Sequence, residues 1–165
     1  MSRAWRWFVL AAAVVLADQV TKAMVTSRFV EGERLEINAF FNMVLVYNKG
    51  AAFSFLSNAP GWQTPLLIGF ALVAIGIVVT LLVRSPDRLM LSCGLALILG
   101  GALGNVIDRL RFGKVVDFLD FHAVFLGEDR HWPAFNVADS AITIGAVLLI
   151  LDGFRKHERR AGAPS

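Results

Sequence analysis

Two aspartates carry the clearest chemical signal in this chain. Asp117 lies in Val115-Val116-Asp117-Phe118, and Asp139 lies in Phe135-Asn136-Val137-Ala138-Asp139. Both fall where an apolar helix would meet water. A carboxylate beside hydrocarbon costs roughly 2.5–3.5 kcal/mol on insertion scales, so it survives there only when paired, capping a helix or reacting. Two of them near one surface can share a proton, one serving as base and the other as acid, which is aspartic-type chemistry. Each has a plainer reading too. Asp117 alone is a surface aspartate. Asn136 as N-cap with Asp139 three residues on is close to a capping box and suits the helix dipole.

Three further clusters accompany the pair. Asp18 and Lys22 stand one helical turn apart on one face and read as an intramembrane ion pair. Asn48 follows the β-prone run Phe41–Tyr47, where Asn48-Lys49-Gly50 reads as a turn after a strand. The third is Gly100-Gly101-Ala102-Leu103-Gly104-Asn105-Val106-Ile107-Asp108-Arg109. Gly100 and Gly104 make a small-xxx-small seam that lets another helix approach, and Asn105 and Arg109, four apart, share a face. Helix packing accounts for the glycines but not for Asn, Asp and Arg together at one end.

The elements that must position these groups are set by composition. Of 165 residues, 56% are hydrophobic and 18% charged, and the mean hydropathy is +0.62, against about 25% charged in soluble domains. The chain therefore reads as one polytopic membrane domain. Apolar stretches run from about residue 5 to 25, 65 to 83, 89 to 107 and 137 to 154. Each approaches the ~20 residues that cross a ~30 Å hydrocarbon core. The outward loops are then about 26–64 and 108–136, and Arg84-Ser85-Pro86-Asp87-Arg88 closes a tight hairpin between the second and third spans. Arg3 and Arg6 before Phe8–Ala17 resemble the start of a cleavable signal peptide. However, Ala11–Ala13 lie inside the apolar run and helix-compatible sequence continues to Val25, so a retained first helix is expected.

Cations do not fix the orientation by number. One side holds Arg3, Arg6, Arg84, Arg88, Arg155, Lys156, Arg159 and Arg160; the other holds Lys22, Arg28, Arg34, Lys49, Arg109, Arg111, Lys114 and Arg130. The first set is concentrated in short flanks, where the positive-inside rule has force, so both termini are expected in the cytoplasm. A net charge of +3 is too small and too scattered for a nucleic-acid surface.

Other chemistries lack their signatures. There is no His-Glu-x-x-His, and His122, His131 and His157 have no ligand spacing along the chain. The single cysteine, Cys93, lies inside an apolar run, and no Gly-x-Ser-x-Gly elbow, Walker loop or dinucleotide fingerprint is present. Carboxylate chemistry remains.

Taken together, the clusters resemble a known family. Asp18-Gln19-x-x-Lys22, Asn48-x-Gly50-x-Ala52-Phe53, Gly101-x-x-Gly104-Asn105-x-x-Asp108-Arg109, Val116-Asp117-Phe118 and Phe135-Asn136-x-Ala138-Asp139 follow the order and topology of the bacterial lipoprotein signal peptidases, signal peptidase II. The resemblance implies a mainly α fold: four transmembrane helices with an outward-facing β-rich cradle and a small amphipathic helix from the long first loop. It implies an intramembrane aspartyl endopeptidase that cleaves prolipoproteins before a diacylglyceryl-modified cysteine. Asp117 and Asp139 would be the catalytic pair; Asn48, Asn105, Arg109 and Asn136 would line the substrate site; Asp18 and Lys22 would be structural supports. No metal or cofactor is required. The implied partners are a lipidated prolipoprotein and membrane lipids, without nucleic acid, around a monomer in the bacterial inner membrane, its site near the periplasmic surface.

Two other classes compete. A small transporter or proton-conducting protein would line a pathway with ionisable residues, yet the middles of the last three apolar stretches carry none. A packing scaffold leaves the polar cluster unexplained.

Overall fold

The computed structural model describes residues 3–50, 62–125 and 127–161, with side chains described as far as residue 155. Within these, the chain forms α1 (Trp5–Thr26), β1 (Arg34–Asn38), β2 (Phe41–Asn48), α2 (Gln63–Arg84), α3 (Leu89–Phe112), β3 (Val115–Phe125), β4 (Glu128–His131) and α4 (Val137–Ala161). All four helices are long and apolar enough to cross a membrane. Their outward faces stay apolar and exposed, as at Leu16, Phe70, Val73, Ile144 and Phe154, which suits contact with lipid rather than water. The fold is the mainly α membrane architecture expected, with a small antiparallel sheet.

α3 is the central helix, packed against α4, α1 and α2. Its glycines explain how the backbones come so close. A Cβ at Gly101 would lie 2.4 Å from the Ala138 carbonyl oxygen of α4, and one at Gly104 would lie 2.6 Å from an Asp18 carboxylate oxygen of α1. Any side chain there would force those helices apart. At one end of the bundle Trp7, Ala11, Leu82, Leu95 and Leu99 form a buried apolar cluster. There the Trp7 indole donates to the Pro86 carbonyl (2.9 Å), Arg3 pairs with Asp87 (3.0 Å), and Arg88 pairs with Asp152.

The sheet covers the opposite end, in the order β1-β2-β3-β4, all antiparallel. The first half of β3, Val115–Phe118, is buried; with Val25 of α1 and Leu45 of β2, Val116 and Phe118 make a second apolar cluster. A register irregularity between Met43 and Val46 brings Val46 opposite Asp117 and Asn48 opposite Val115. The sheet thus delivers Asn48 and Asp117 to the same end of the bundle as the N-terminus of α4.

α3 runs to Phe112, past the expected end at 107. Hydropathy marks where hydrocarbon stops, whereas Asp108–Phe112 remain good helix formers. The helix ends at Gly113, which takes the left-handed conformation (φ 71°) and donates to the Arg109 carbonyl. Likewise α4 continues past 154 to Ala161. Residues 27–50 of the first long loop hold β1 and β2. The amphipathic helix expected from that loop would fall on 51–61, outside the described residues, as do Ala52 and Phe53 of its motif.

Candidate active site

The floor of the site is a buried ionic knot. Lys22 sits on α1 at 3% exposure, between Asp18 at 0% and Asp108 at 1%. Its Nζ lies 2.9 Å from an oxygen of each carboxylate. The remaining carboxylate oxygens tie other elements to this point. Asp18 Oδ1 accepts the Ala138 N–H of α4 (3.0 Å), and Asp108 Oδ2 also accepts the Val116 N–H of β3 (3.0 Å). Gln19 Nε2 donates to Asp108 Oδ1 (2.9 Å) and to Asp18 Oδ2 (3.1 Å). Four elements, α1, α3, α4 and β3, thus share one network. The pair expected from sequence is a three-residue knot.

Its energetics follow. Removing one member of a buried ion pair typically costs about 3–5 kcal/mol because the other charge is left uncompensated. Asp18→Ala leaves Lys22 its second carboxylate but orphans the Ala138 N–H, so it is expected to destabilise toward the lower end of that range. Lys22→Ala leaves two buried carboxylates facing each other and is expected to cost more. The double change Asp18→Ala with Lys22→Ala is expected to be milder than the sum of the singles. Unfolding in detergent measures this, and strictly additive losses would show that the residues are uncoupled.

Lys22 also fixes the next layer. Its third hydrogen-bond partner is Asn105 Oδ1 at 3.1 Å. An ammonium group can only donate, so the Asn105 amide must turn its oxygen toward Lys22 and its NH₂ away. That NH₂ donates to Asp139 Oδ1 at 2.8 Å. Asp139 lies at the start of α4 within a reciprocal capping box: its N–H donates to Asn136 Oδ1 (2.9 Å), and its Oδ2 accepts the Asn136 N–H (3.3 Å). One residue therefore both caps α4 and presents a carboxylate held by Asn105.

Asp117 is held by two amides. Asn136 Nδ2 donates to its Oδ1 at 2.7 Å, and Asn48 Nδ2 to its Oδ2 at 3.1 Å. Burial, then the negative charge of Asp139, push the Asp117 carboxyl up to about 7; the bonds from Asn48 and Asn136 and the charge of Lys22 oppose the rise. A carboxyl group that keeps its proton near neutrality, beside a second carboxylate, is the arrangement that shared-proton catalysis needs.

Asp117 and Asp139 both open onto a cavity of about 1070 Å³, at the upper end of small-molecule site volumes. Tyr47, Asn48, Asn105, Arg109, Trp132 and Phe135 line it, with Ile142, Thr143 and Ile144 of α4 on one flank. Arg109 reaches across it, Nη2 donating to the Gly50 carbonyl (3.2 Å) and Nη1 to the Asn105 carbonyl (3.4 Å).

All eight residues singled out from sequence thus meet at one end of the bundle, but not all in the expected way. Asn136, expected in the substrate site, is fully buried behind Asp117. Its amide hydrogens go to Asp117, Asn105 and the Val116 carbonyl. It is placed to hold the aspartates rather than to touch a ligand. Gln19 and Asp108 stood in the recognised motifs without a role; their position one helical turn from Lys22 and Asn105, on the same faces, was the available signal. Of the aromatic lining, Phe135 stood in a recognised motif and Tyr47 in the β-prone run, neither with a role, and Trp132 carried no sequence signal. His122 and His131, without ligand spacing along the chain, are brought face to face across β3 and β4, ring centroids 5.0 Å apart.

Comparisons with known proteins bear on the chain as a whole. The family model for signal peptidase (SPase) II matches residues 10–155. A lipoprotein signal peptidase of Paraburkholderia phytofirmans is 53% identical over 150 residues, covering 91% of this chain and 85% of that protein. One of Cupriavidus necator is 50% identical over 153 residues, covering 93% and 85%. Among solved structures, a bacterial membrane enzyme determined at 2.3 Å by the in meso method superposes with a TM-score of 0.82 at 29% identity. It covers 97% of this chain and 94% of that one. A second, at 1.9 Å, gives 0.74 at 32% identity, covering 88% and 90%.

Proposed function

The chain belongs to the signal peptidase II family and removes signal peptides from lipoproteins, and from that premise we propose that it works as an intramembrane aspartyl endopeptidase. One observation carries the reading. Asp117 from β3 and Asp139 from α4 open onto the same cavity, each with an asparagine amide on its carboxylate.

In the proposed cycle Asp117, with its carboxyl near 7, holds the shared proton. A water between the two carboxyl groups loses a proton to Asp139 as its oxygen bonds to the scissile carbonyl carbon. Asp117 gives its proton to the carbonyl oxygen, which yields a neutral tetrahedral diol. The C–N bond then breaks as the nitrogen takes the proton from Asp139, and the diol hydroxyl returns a proton to Asp117. Asn48, Asn105 and Asn136 keep the carboxylates oriented, and Arg109, with spare guanidinium donors at the cavity, holds the substrate backbone. The knot of Asp18, Lys22 and Asp108 acts only through Asn105 and through the docking of α4 and β3.

The substrate bond is the one before a diacylglyceryl-modified cysteine. The site lies at one end of four membrane-spanning helices, so acyl chains left in the bilayer bring the peptide to the carboxylates. Each buried methylene contributes about 0.8 kcal/mol to that anchoring. The test is the fate of a precursor with and without this lipid.

Four candidate spans and membership of the signal peptidase II family support a multi-pass inner-membrane protein. With both termini in the cytoplasm, the sheet and cavity face the periplasm. A reporter fused after His122 is expected to read as periplasmic and one after Asp87 as cytoplasmic; a periplasmic reading at Asp87 would overturn this orientation.

A further inference from the structure

The hairpin of β3 and β4 carries a second constellation that the peptidase chemistry does not use. Its sequence holds two Asp-x-His tripeptides, Asp120-Phe121-His122 and Asp129-Arg130-His131. Residues two apart on a strand point to the same face, so each tripeptide puts its aspartate and histidine side by side. The register pairs His122 with His131 and Val124 with Asp129. Antiparallel pairing therefore gathers all four side chains on one face of the ribbon, each histidine diagonal to the other strand's aspartate.

The observed contacts follow that diagonal. His122 Nδ1 lies 2.8 Å from Asp129 Oδ1, and His131 Nε2 lies 3.3 Å from Asp129 Oδ2. His131 Nδ1 lies 2.9 Å from Asp120 Oδ1 and 3.0 Å from Oδ2. One ligand atom from each of His122, Asp129 and His131 falls within 4.8 Å of the others. A tetrahedral zinc ion, with bonds of about 2.0–2.2 Å, separates its ligand atoms by about 3.3 Å, so the cluster needs only small side-chain rotations. Asp120 is 4% exposed and fixed by the Asn42 amide (3.0 Å). It occupies the place of the carboxylate that typically accepts the second ring N–H of a metal-bound histidine and sets its tautomer. His122 Nε2 is buried without a hydrogen-bond partner among the described residues, so Nδ1 is the nitrogen that ring offers to the cluster.

We propose that this hairpin face binds a divalent transition-metal ion of the zinc class, with His122, Asp129 and His131 as ligands and Asp120 orienting His131. Two imidazoles and a carboxylate select zinc and its neighbours over magnesium or calcium. Arg34 is the competitor: its Nη1 lies 3.3 Å from His131 Nε2. That side chain is about half exposed and must swing toward water when the ion binds. Asp120, His131 and Trp132 also line the cavity of the aspartates. A bound ion would therefore cross-link β3 and β4 at the cavity rim, just before the segment that leads to Asn136. This site stands whether or not the carboxylate pair is catalytic.

The test is calorimetric titration of the chelator-washed, tag-free full chain in detergent with zinc chloride. The expected result is saturable binding of one ion per chain. His122→Ala and His131→Ala are each expected to weaken it at least tenfold, and Asp120→Asn by about 10–100-fold. His157→Ala is expected to leave it unchanged. Asp129→Asn keeps both imidazoles and the strand pairing, so it probes the ligand set without unfolding the hairpin, and it is expected to weaken binding as well. Absence of saturable binding to the unaltered protein, unchanged affinity in Asp129→Asn, or equal binding after both histidines are replaced overturns the proposal.

Discussion

Asp117→Asn and Asp139→Asn are each expected to lower turnover about 10³-fold or more, since each removes a proton-transfer group of a kind worth 10²–10⁴. The substitution keeps size and polarity, so binding and folding are nearly spared. In Asp139→Asn the new amide oxygen can still accept one of the two hydrogen bonds that the Asp139 carboxylate receives from Asn105 and the Asn136 N–H. In Asp117→Asn it can likewise accept from either Asn136 or Asn48. A role confined to capping α4 would leave Asp139→Asn close to full activity. The pH dependence adds an independent reading. The unfolded Asp117 carboxyl titrates near 3.9 and the folded one near 7, so between these values the folded protein binds more protons. The stability contributed by protonated Asp117 is therefore fully present below about pH 4 and is lost as pH rises through 7. Asp117→Asn is expected to flatten that decline in thermal-unfolding midpoints. The wild-type kcat/KM is expected to fall on the alkaline side near the same pH. Near-normal turnover in either purified variant would refute the assignment.

What the sequence made legible divides along physical lines. Membrane spans announce themselves because a ~30 Å core demands a run of apolar residues whatever the neighbours do, and α1 to α4 begin within two residues of where hydropathy puts them. Their far ends are less visible, since helix termination at Gly113 is a backbone event. Asp117 and Asp139 stood out because carboxylates near hydrocarbon need a reason. Whether an asparagine touches substrate or supports a carboxylate is a matter of burial, and Asn136 beside Asp139 looks in sequence just like Asn48 beside Gly50. Asp108 stood out with Asn105 and Arg109 at one helix end, but its partner was not legible. Its pairing with Lys22 depends on the close approach of α1 and α3 that Gly100 and Gly104 permit. The histidine pair was invisible for a different reason. Nine positions separate His122 from His131, and only the register of β3 and β4 makes them neighbours.

A precursor with diacylglyceryl-cysteine is expected to be cut before that cysteine, whereas the same precursor with serine there is expected to show no measurable cleavage. The signal segment is itself apolar, so both precursors enter the bilayer, and partitioning alone does not distinguish them. The difference lies in depth. Two acyl chains hold the modified residue at the membrane surface far more firmly than the marginal anchoring of a single chain, about 10⁴ M⁻¹. On the proposed orientation the carboxylates lie at that surface: Asp139 opens α4 and Asp117 lies in the sheet that covers the same end of the bundle. Ile142, Thr143 and Ile144 flank the cavity on the α4 side, and Ile144 and Val147 on that helix are exposed toward lipid. An acyl chain can therefore run along α4 while the peptide crosses Asn48, Asn105 and Arg109. Without the lipid, the same bond slides along the bilayer normal and spends little time at the pair, a loss of proximity that lowers rate as surely as loss of a catalytic group. Mass spectrometry of products from both precursors, incubated with purified protein, reads the outcome. Equal cleavage of the two would leave a membrane aspartyl endopeptidase but remove lipid recognition from its mechanism.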